Sequence, residues 1–331
     1  MFSRQSLSTP IDRPRRLRTT QAMREMVHET RVHSRQLILP AFIRDGIDSP
    51  VEISSMPGQY QHTEESLRQL ARRCVDAGIG GIDLFGVPLE EDKDARGSVA
   101  CASDGILNRG LQAVRDEVGD ALVIIADTCL DEFTSHGHCG VLTDEGTVDN
   151  DATLELYAQQ AVSQARAGAH VVSPSGMMDG QVRVIREALD EEGFEDVAIL
   201  AYSAKYASAF FGPFRDAVGS GLKGDRKTYQ QDPANRREGL REALLDLEEG
   251  ADMVMVKPAG YYLDVLSDVA AVSNVPVAAY QVSGEYAMIE AAAANGWLDR
   301  ERVIQESVTG IVRAGADIVL TYFALDEALI G

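Results

Sequence analysis

The chain has 331 residues, 45% of them hydrophobic, and its 52 acidic against 31 basic side chains give a formal net charge of −21. This charge would repel a phosphate backbone and so argues against nucleic-acid binding. The sequence contains neither the apolar run of about 18 residues that a membrane-spanning helix needs nor the apolar stretch of a secretory signal, so we expect a cytoplasmic protein with no membrane partner.

Residues 1–33 precede the first predicted strand and contain the basic cluster Arg13–Arg18. Such a segment is either a frayed terminus or an arm that embraces a neighbouring subunit of opposite charge, and both interpretations stay open. We therefore divide the chain into an N-terminal arm, residues 1–33, and a larger domain, residues 34–331.

Eight short apolar runs in the larger domain predict eight strands. They are Leu37–Ile43, Gly81–Val87, Leu122–Cys129, Ala169–Ser175, Val197–Ser203, Ala251–Lys257, Pro276–Ser283 and Ala316–Phe323. Stretches with a helical period separate most of them, for example Glu64–Ala77, Thr153–Ala167, Gln181–Glu192, Asn235–Glu249 and Glu301–Ala314. Alternating strands and helices predict a parallel sheet, and nearly continuous hydrophobic strands are typical of a sheet covered on both faces.

A repeated joint between helix and strand favours a closed barrel over an open sheet. Four predicted strands follow a glycine that can take the left-handed conformation and end the preceding helix: Gly78, Gly168, Gly250 and Gly315. No G-x-G-x-x-G motif opens a helix after the first strand, and its absence argues against a dinucleotide-binding fold. The sequence therefore predicts a single (β/α)8 barrel.

Polar residues stand at the C-terminal ends of several predicted strands, where such barrels carry their catalytic groups. They are Asp127, Ser175, Lys205, Lys257, Ser283 and Tyr322. Two partly desolvated lysines facing one rim lower each other's pKa, and a neutral amine can attack a carbonyl to form a Schiff base. The alternative is that one lysine is simply paired with a carboxylate such as Asp127.

A long segment with few apolar residues, from about Gly212 to Asp232, is predicted to be a loop. Among its residues are Arg215, Lys223, Arg226, Lys227 and Gln230, with glycines at 219, 221 and 224. Basic side chains on a rim loop suit a substrate that bears a carboxylate, and the glycines would let the loop close as a lid. A mobile, solvated loop is the alternative.

A group of potential metal ligands follows the third predicted strand. Cys129 and Asp131 are followed by His136, His138 and Cys139. Thiolates, a carboxylate and imidazoles within a dozen residues fit a zinc site, although the spacing is not that of a paired C-x-x-C. A reduced, buried pair of cysteines is the alternative.

With these motifs in view, the sequence resembles the porphobilinogen synthase family, also called 5-aminolevulinate dehydratase. The resemblance covers nearly the whole chain from about Arg13. It is carried by long and specific stretches: Asp127–Asp131, Thr134–Gly140, Tyr202–Tyr206, Phe211–Asp216, Met255–Gly260, Tyr280–Glu285 and Thr321–Phe323. It implies the condensation of two 5-aminolevulinate molecules to porphobilinogen with loss of two waters, early in tetrapyrrole synthesis.

The resemblance also implies roles for individual residues. Lys257 would form the Schiff base with the first substrate, and Lys205 would lower the pKa of its partner or bind the second substrate. The first substrate's carboxylate would meet Ser283 and Tyr322, and its amino group would lie near Asp127 and Ser175. The second substrate's carboxylate would bind to Arg215, Arg226 and Gln230. Phe211 and Phe214 would form apolar walls around the Schiff base.

The metal segment departs from the family pattern. Zinc-dependent members have three cysteines there, whereas this chain has Cys129 and Cys139 with Asp131 in the third position. Two thiolates and one carboxylate can still bind zinc, and they suit magnesium or manganese less well than all-oxygen ligands do. We therefore favour zinc, which would bind and polarise the second substrate.

Glu242 matches the acidic residue of a magnesium site that the resemblance places at a subunit interface of a homo-octamer, away from the chemistry. From the sequence pattern alone, Glu242 is only an exposed carboxylate on a helix.

Two other classes of function remain as alternatives. One is a class I aldolase-type Schiff-base lyase, which would need a phosphate-binding loop near the last two strands. The other is a non-catalytic metal-binding or oligomerisation protein that retains the fold.

Overall fold

The computed structural model describes residues 12–222 and 224–330. Residues 1–11 of the predicted arm, and Lys223 of the predicted lid, lie outside the described residues. The chain divides into two compact units after Arg31. The first unit contains a 3-10 turn at Pro14–Arg18 and the short helix α1, Gln21–Met26, whose N-terminus is capped by the Thr20 hydroxyl. No residue of either element is buried, so the described part of this unit, residues 12–31, has no core of its own.

The second unit is built on a closed barrel of eight parallel strands. In chain order the strands of the sheet are β1 Leu37–Arg44, β2 Val51–Glu52, β3 Tyr60–His62, β4 Gly81–Val87, β5 Val123–Thr128, β6 Val171–Pro174, β7 Ala198–Lys205, β8 Met253–Lys257, β9 Val277–Gln281 and β10 Ile318–Thr321. β1 and β4 to β10 form the barrel, and Leu37 of β1 pairs with Val319 of β10 to close it. The predicted (β/α)8 barrel is confirmed, with strand ends displaced by at most two residues. The hairpin of β2 and β3 beside β1 was not predicted.

Helices surround the barrel. They are α2 Glu64–Asp76, α3 Ile106–Val118, α4 Asn150–Arg166, α5 Gln181–Glu191, α6 Gly212–Val218, α7 Arg236–Glu249, α8 Leu263–Val272, α9 Ser283–Ala294, α10 Arg300–Arg313 and α11 Glu327–Ile330. α6 corrects the prediction of a continuous loop from Gly212. Its second residue is Pro213, whose fixed φ suits the first helical turn, and its last residue is followed by Gly219 with φ 60°. Over the described part of the chain, no helix combines the length and apolarity that crossing a membrane requires.

The four predicted glycine joints are present. Gly78, Gly168, Gly250 and Gly315 have φ values of 68°, 100°, 106° and 119°, which are the left-handed values that only glycine adopts without strain. Each of these glycines follows the end of a helix and lies three residues before the first residue of a barrel strand, as the predicted alternation of helix and strand requires.

Successive side chains of the barrel strands point alternately outward and inward, and this alternation divides the core in two. In β1, Leu37 and Leu39 pack outward in the cluster that also contains the helices, whereas Ile38 and Phe42 pack inside the barrel. Bulky residues such as Tyr202 and Tyr280 fill the interior. Because side chains fill the barrel, a substrate can contact barrel side chains only at the ends of the strands.

Candidate active site

Lys205 and Lys257 lie side by side at the C-terminal ends of β7 and β8. They are direct partners in the parallel ladder, and each is only 5% exposed. Their alignment depends on an irregularity in β7 between Ala201 and Ala204, which shifts the register by one residue. Because side chains alternate along a strand, a shift of one residue decides which face a side chain takes. The irregularity therefore places both amines on the same face.

The amine of Lys257 is enclosed by aromatic rings. Its Nζ lies 4.1 Å from the centroid of the Tyr280 ring and 4.8 Å from that of Tyr202. Phe214 and Phe211 are at 5.4 Å and 5.6 Å. Burial, and then the positive charge of Lys205, lower the pKa of Lys257 to about 7, although nearby carboxylates oppose the shift. A large share of this amine is therefore neutral near pH 7.

Asp127 and Ser175 connect the lysine pair to the neighbouring strands. Lys205 Nζ donates to the Ser175 carbonyl oxygen at 2.5 Å, and Ser175 Oγ donates to Asp127 Oδ2 at 3.2 Å. Burial raises the pKa of Asp127 to about 6, against the effect of the two lysines. Within the described residues no ion pair joins Asp127 to either lysine, so the geometry does not support the alternative of a simple lysine–carboxylate pair.

Three of the five predicted metal ligands come together beside these groups, whereas His136 and His138 are not part of that set. One ligand atom each of Cys129, Asp131 and Cys139 lies within 4.8 Å of the others, and all three residues are buried. Neither cysteine forms a disulfide. Burial alone would raise the pKa of Cys139, but a hydrogen bond with Cys129 and the cation of Arg226 outweigh it and lower that pKa. Two sulfur atoms and one oxygen at this spacing fit a divalent cation such as zinc.

Glu132 was not among the predicted site residues, yet it lines the same cavity. It is 2% exposed, and neither of its carboxylate oxygens has a hydrogen-bond partner among the described residues. Burial, and then the neighbouring Asp131, raise its pKa well above the usual range. The only signal in the sequence was its position next to Asp131. Its inward direction comes from a turn in which Phe133 N and Thr134 N both donate to the Leu130 carbonyl.

Asp83 was also missed by the sequence reasoning. It lies within β4, fully buried inside the barrel, and its Oδ2 accepts a hydrogen bond from the Tyr202 hydroxyl at 3.2 Å. The run Gly81–Val87 contains one polar residue, which is a signal that could have identified it. Asp83 is one of the carboxylates that oppose the lowered pKa of Lys257.

The segment after β7 covers the site. Phe211, Phe214, Arg215 and Arg226 from this segment line a cavity of about 20 Å³ together with the lysines and Asp127. That volume holds about one water molecule. In this conformation the segment leaves no room for a larger molecule beside Lys257, and its motion as a lid stays a prediction.

The basic residues of the lid differ in their placement. Arg226 is 8% exposed and Gln230 is 5% exposed, whereas Arg215 is exposed. Arg226 pairs with Asp131 Oδ2 at 2.7 Å, which places it in the site instead of in solvent. Two buried donors, Arg226 Nε and Gln230 Nε2, have no partner among the residues that the structure describes. Such unpaired donors are suited to hydrogen-bond a carboxylate, which would be the acceptor.

Ser283 and Tyr322 lie at the ends of β9 and β10, and both are buried. Ser283 Oγ accepts a hydrogen bond from Phe214 N at 3.0 Å, and the Tyr322 hydroxyl lies 3.1 Å from that of Tyr280. Phe214 also packs on Phe85. A carboxylate would accept the hydroxyl proton of Ser283, which now points to the Phe210 carbonyl oxygen at 3.5 Å, while Phe214 N could still donate to Ser283 Oγ.

The C-terminal end of α6 is attached to the barrel by polar side chains. Lys93 Nζ donates to the Gly219 carbonyl at 3.3 Å, and Gln61 Nε2 donates to the Ala217 carbonyl at 2.6 Å. Arg44 in turn donates to Gln61 Oε1 at 2.7 Å. The last carbonyls of a helix carry partial negative charge and have no partner within the helix, so these donors stabilise the position of α6.

Replacing Lys93 with Met should loosen the lid, because a charged donor to the end of α6 is lost. We expect chymotrypsin to cleave within residues 212–232 about fivefold faster, which corresponds to about 1 kcal/mol for the lost hydrogen bond. Arg96→Met is the control, since Arg96 is an exposed cation on the same connection. Equal cleavage rates in the Lys93 variant and the original chain would contradict this role.

Glu242 lies on α7, away from the lysines. It is half-buried, which corrects the expectation of an exposed carboxylate. With Asp179 and Glu238 it lines a separate cavity of about 350 Å³. Burial, and then the charge of Asp179, raise its pKa. The acidic side chains thus share one cavity.

Comparison with known proteins agrees with this arrangement. The family model described as "Delta-aminolevulinic acid dehydratase" matches residues 11–330. The chain is 66% identical to a protein of that name from Streptomyces coelicolor, over 97% of each chain. It is 63% identical to one from Mycobacterium tuberculosis, over 97% of this chain and 98% of that one.

A solved structure is also similar to the chain. It is the delta-aminolevulinic acid dehydratase (porphobilinogen synthase) of Toxoplasma gondii ME49, in complex with the reaction product porphobilinogen. The TM-score is 0.94 at 44% identity, and the match covers 98% of this chain and 92% of that one. The likeness therefore extends over the barrel and its surrounding helices.

Proposed function

The chain belongs to the delta-aminolevulinic acid dehydratase family, and we infer from this that it is a lyase that condenses two molecules of 5-aminolevulinate to porphobilinogen. Two waters are lost, and the product enters tetrapyrrole synthesis. The observation that carries the assignment within the structure is the buried amine of Lys257, whose pKa is lowered to about 7 beside Lys205. Incubation with 5-aminolevulinate and a colour reagent for pyrroles tests the activity. Failure to form a pyrrole would contradict it.

We propose that Lys257 Nζ attacks the ketone carbon of the first substrate. A C–N bond forms, the carbonyl oxygen leaves as water, and the nitrogen gives up its protons in doing so. The lowered pKa provides the unprotonated amine that this attack requires. Tyr202, Phe211 and Phe214 enclose the nitrogen and exclude water, which protects the Schiff base from hydrolysis.

The two substrate carboxylates are proposed to occupy different groups of side chains. Ser283 and Tyr322 would hold that of the first substrate. Arg215, Arg226 and Gln230 would hold that of the second, and the unpaired donors of Arg226 and Gln230 support this assignment. Binding of the second carboxylate would then draw the lid over the site.

Asp127 and Ser175 are proposed to lie near the amino group of the first substrate. With a pKa of about 6, the Asp127 carboxyl exchanges its proton readily near neutral pH. A carboxyl group with such a pKa can take a proton from an ammonium group or return one to an intermediate. Ser175 Oγ, which donates to Asp127 Oδ2, would orient it.

We propose that Cys129, Asp131 and Cys139 hold zinc. When bound, zinc would supply positive charge that polarises the second substrate. The lowered pKa of Cys139 favours the thiolate that a metal requires. Asp131 stays ionised because Arg226 and Lys205 lower its pKa despite burial. Asp131 and Cys139 can thus present two negatively charged ligands. Burial raises the pKa of the Cys129 thiol, so Cys129 would give up its proton only on binding the ion.

Elemental analysis of the purified chain should find zinc. We expect a chelator to lower the rate of porphobilinogen formation, because the second substrate loses its electrophilic partner, and added zinc to restore the rate. Magnesium should not restore it, since two of the three ligands are sulfur. Full activity in a chain that retains no metal after chelation would contradict the metal assignment and leave the Schiff-base assignment intact.

Glu242 is proposed to bind magnesium at a subunit interface of a homo-octamer, with the N-terminal arm contacting a neighbouring barrel. In the arm, the large apolar side chains Leu17 and Met26 are 53% and 67% exposed, which supports a contact with another copy. Light scattering should give the mass of eight chains. Magnesium should raise the activity of the original chain and leave that of Glu242→Ala unchanged; equal activation of both would contradict the assignment.

A class I aldolase-type reaction would need a phosphate cradle at the ends of β9 and β10. Those ends present the Ser283 hydroxyl and the Tyr322 phenol, which suit a carboxylate instead. A non-catalytic protein would not require a buried lysine with a lowered pKa such as Lys257. Neither alternative is favoured by a specific observation.

A further inference from the structure

Glu132 is a buried carboxylate that the mechanism above does not use. It is 2% exposed, and both of its oxygens lack a partner among the residues described here. Asp127, which is 3% exposed, has the same feature at Oδ1. An ionised carboxylate that is removed from water without a partner is costly, so such groups are found paired with cations or bound to metals.

The free oxygens of these two residues converge with a sulfur atom. One ligand atom each of Asp127, Cys129 and Glu132 lies within 4.8 Å of the other two. A divalent ion that contacts oxygen at about 2.1 Å and sulfur at about 2.3 Å needs its ligands within about 4 Å of each other, so a small adjustment closes the site. We propose that Asp127, Cys129 and Glu132 form a second position for a divalent cation, which shares the Cys129 sulfur with the position at Cys129, Asp131 and Cys139.

The charges around the two positions differ. In the first position, Asp131 already forms an ion pair with Arg226 at 2.7 Å, which reduces the negative charge that it offers to a metal. No ion pair involves Glu132 within the described part of the chain, so no basic side chain competes with a metal for its oxygens. Two carboxylates and one thiolate make a harder set of ligands than two thiolates and one carboxylate, and they suit zinc, cobalt(II) and manganese(II).

The two positions can be separated because only the first uses Cys139. The full-length chain, freed of metal and kept anaerobic, is titrated with cobalt(II), and thiolate-to-cobalt absorption is followed. We expect two thiolate-bound cobalt ions per original chain and one per Cys139→Ser chain, in which Cys129 remains. The double variant Cys139→Ser/Glu132→Gln should bind cobalt at least about tenfold more weakly than Cys139→Ser. Equal affinities, or no thiolate–cobalt absorption in Cys139→Ser, would overturn the proposal.

Glu132→Gln alone provides a second measurement, since the amide keeps the shape and removes the charge. Its stoichiometry should fall from two cobalt ions to one, and an unchanged stoichiometry would overturn the second position. Glu145→Gln is the matched control, because Glu145 is an exposed carboxylate on the same connection between β5 and α4. The assay measures metal binding alone. A chain that binds two cobalt ions without making a pyrrole would contradict the proposed function and leave this inference standing.

Discussion

Lys257→Met should reduce the turnover number for porphobilinogen by about 10⁴-fold, because the Schiff-base amine is lost and the neighbouring Lys205 amine is held by the Ser175 carbonyl oxygen. Borohydride together with 5-aminolevulinate should add one reduced substrate to the original chain and none to the variant, as measured by intact mass. Met has a similar length and suits the aromatic surroundings of the amine, so the barrel should remain folded. The loss would then reflect chemistry and not stability.

Peptide mapping can locate the label without ambiguity, since the sequence has five lysines in all. Lys227→Met is the control, because Lys227 is an exposed lysine of the lid. It should keep both the label and most of the activity. Labelling of the Lys257 variant at Lys205, with substantial turnover, would show that the two lysines exchange roles and would contradict the assignment of Lys257.

Lys205→Met should lower kcat/KM by about 100-fold at pH 7, because a positive charge that keeps Lys257 unprotonated is lost. In the original chain, activity should rise with pH through about 7, as Lys257, whose pKa lies there, loses its proton. Without the Lys205 charge the pKa of Lys257 rises, so the acidic limb of the pH profile should move to higher pH. Part of the loss should therefore be recovered in alkaline buffer.

Lys205→Arg tests whether charge alone is sufficient, since arginine keeps the cation and changes its shape. We expect its acidic limb to stay near that of the original chain. A Lys205→Met variant that loses activity equally at every pH would contradict the electrostatic role. In that case Lys205 would act by binding the second substrate.

Much of the fold could be predicted from the sequence because its signals are local. The apolar run of a buried strand is visible in the strand itself, as in Gly81–Val87, whose predicted and observed ends agree. The left-handed glycines such as Gly168 are equally local, because the backbone angle is required at that one residue. The candidate residues at the strand ends followed from the barrel, since parallel strands end at the same rim.

The resemblance supplied roles that the pattern alone did not. Glu242 had no local signal beyond a polar helical position, and only the fold shows that it shares a cavity with Asp179. The short helix α6 was missed because a segment of seven residues with few apolar side chains has little helical period to detect. Its position depends on Lys93 and Gln61, which are distant in sequence.

What the sequence by itself determined is therefore the closed barrel, the two lysines at its rim and the Cys129–Asp131–Cys139 set. Only the tertiary structure decided that Lys205 lies level with Lys257. A one-residue irregularity in β7 sets the pairing of β7 with β8, and the sequence of neither strand shows it. Only the tertiary structure turned Glu132 inward and left its carboxylate without a partner. A pKa or a ligand geometry depends on charges and solvent exclusion contributed by several strands at once, and a linear pattern does not contain those distances.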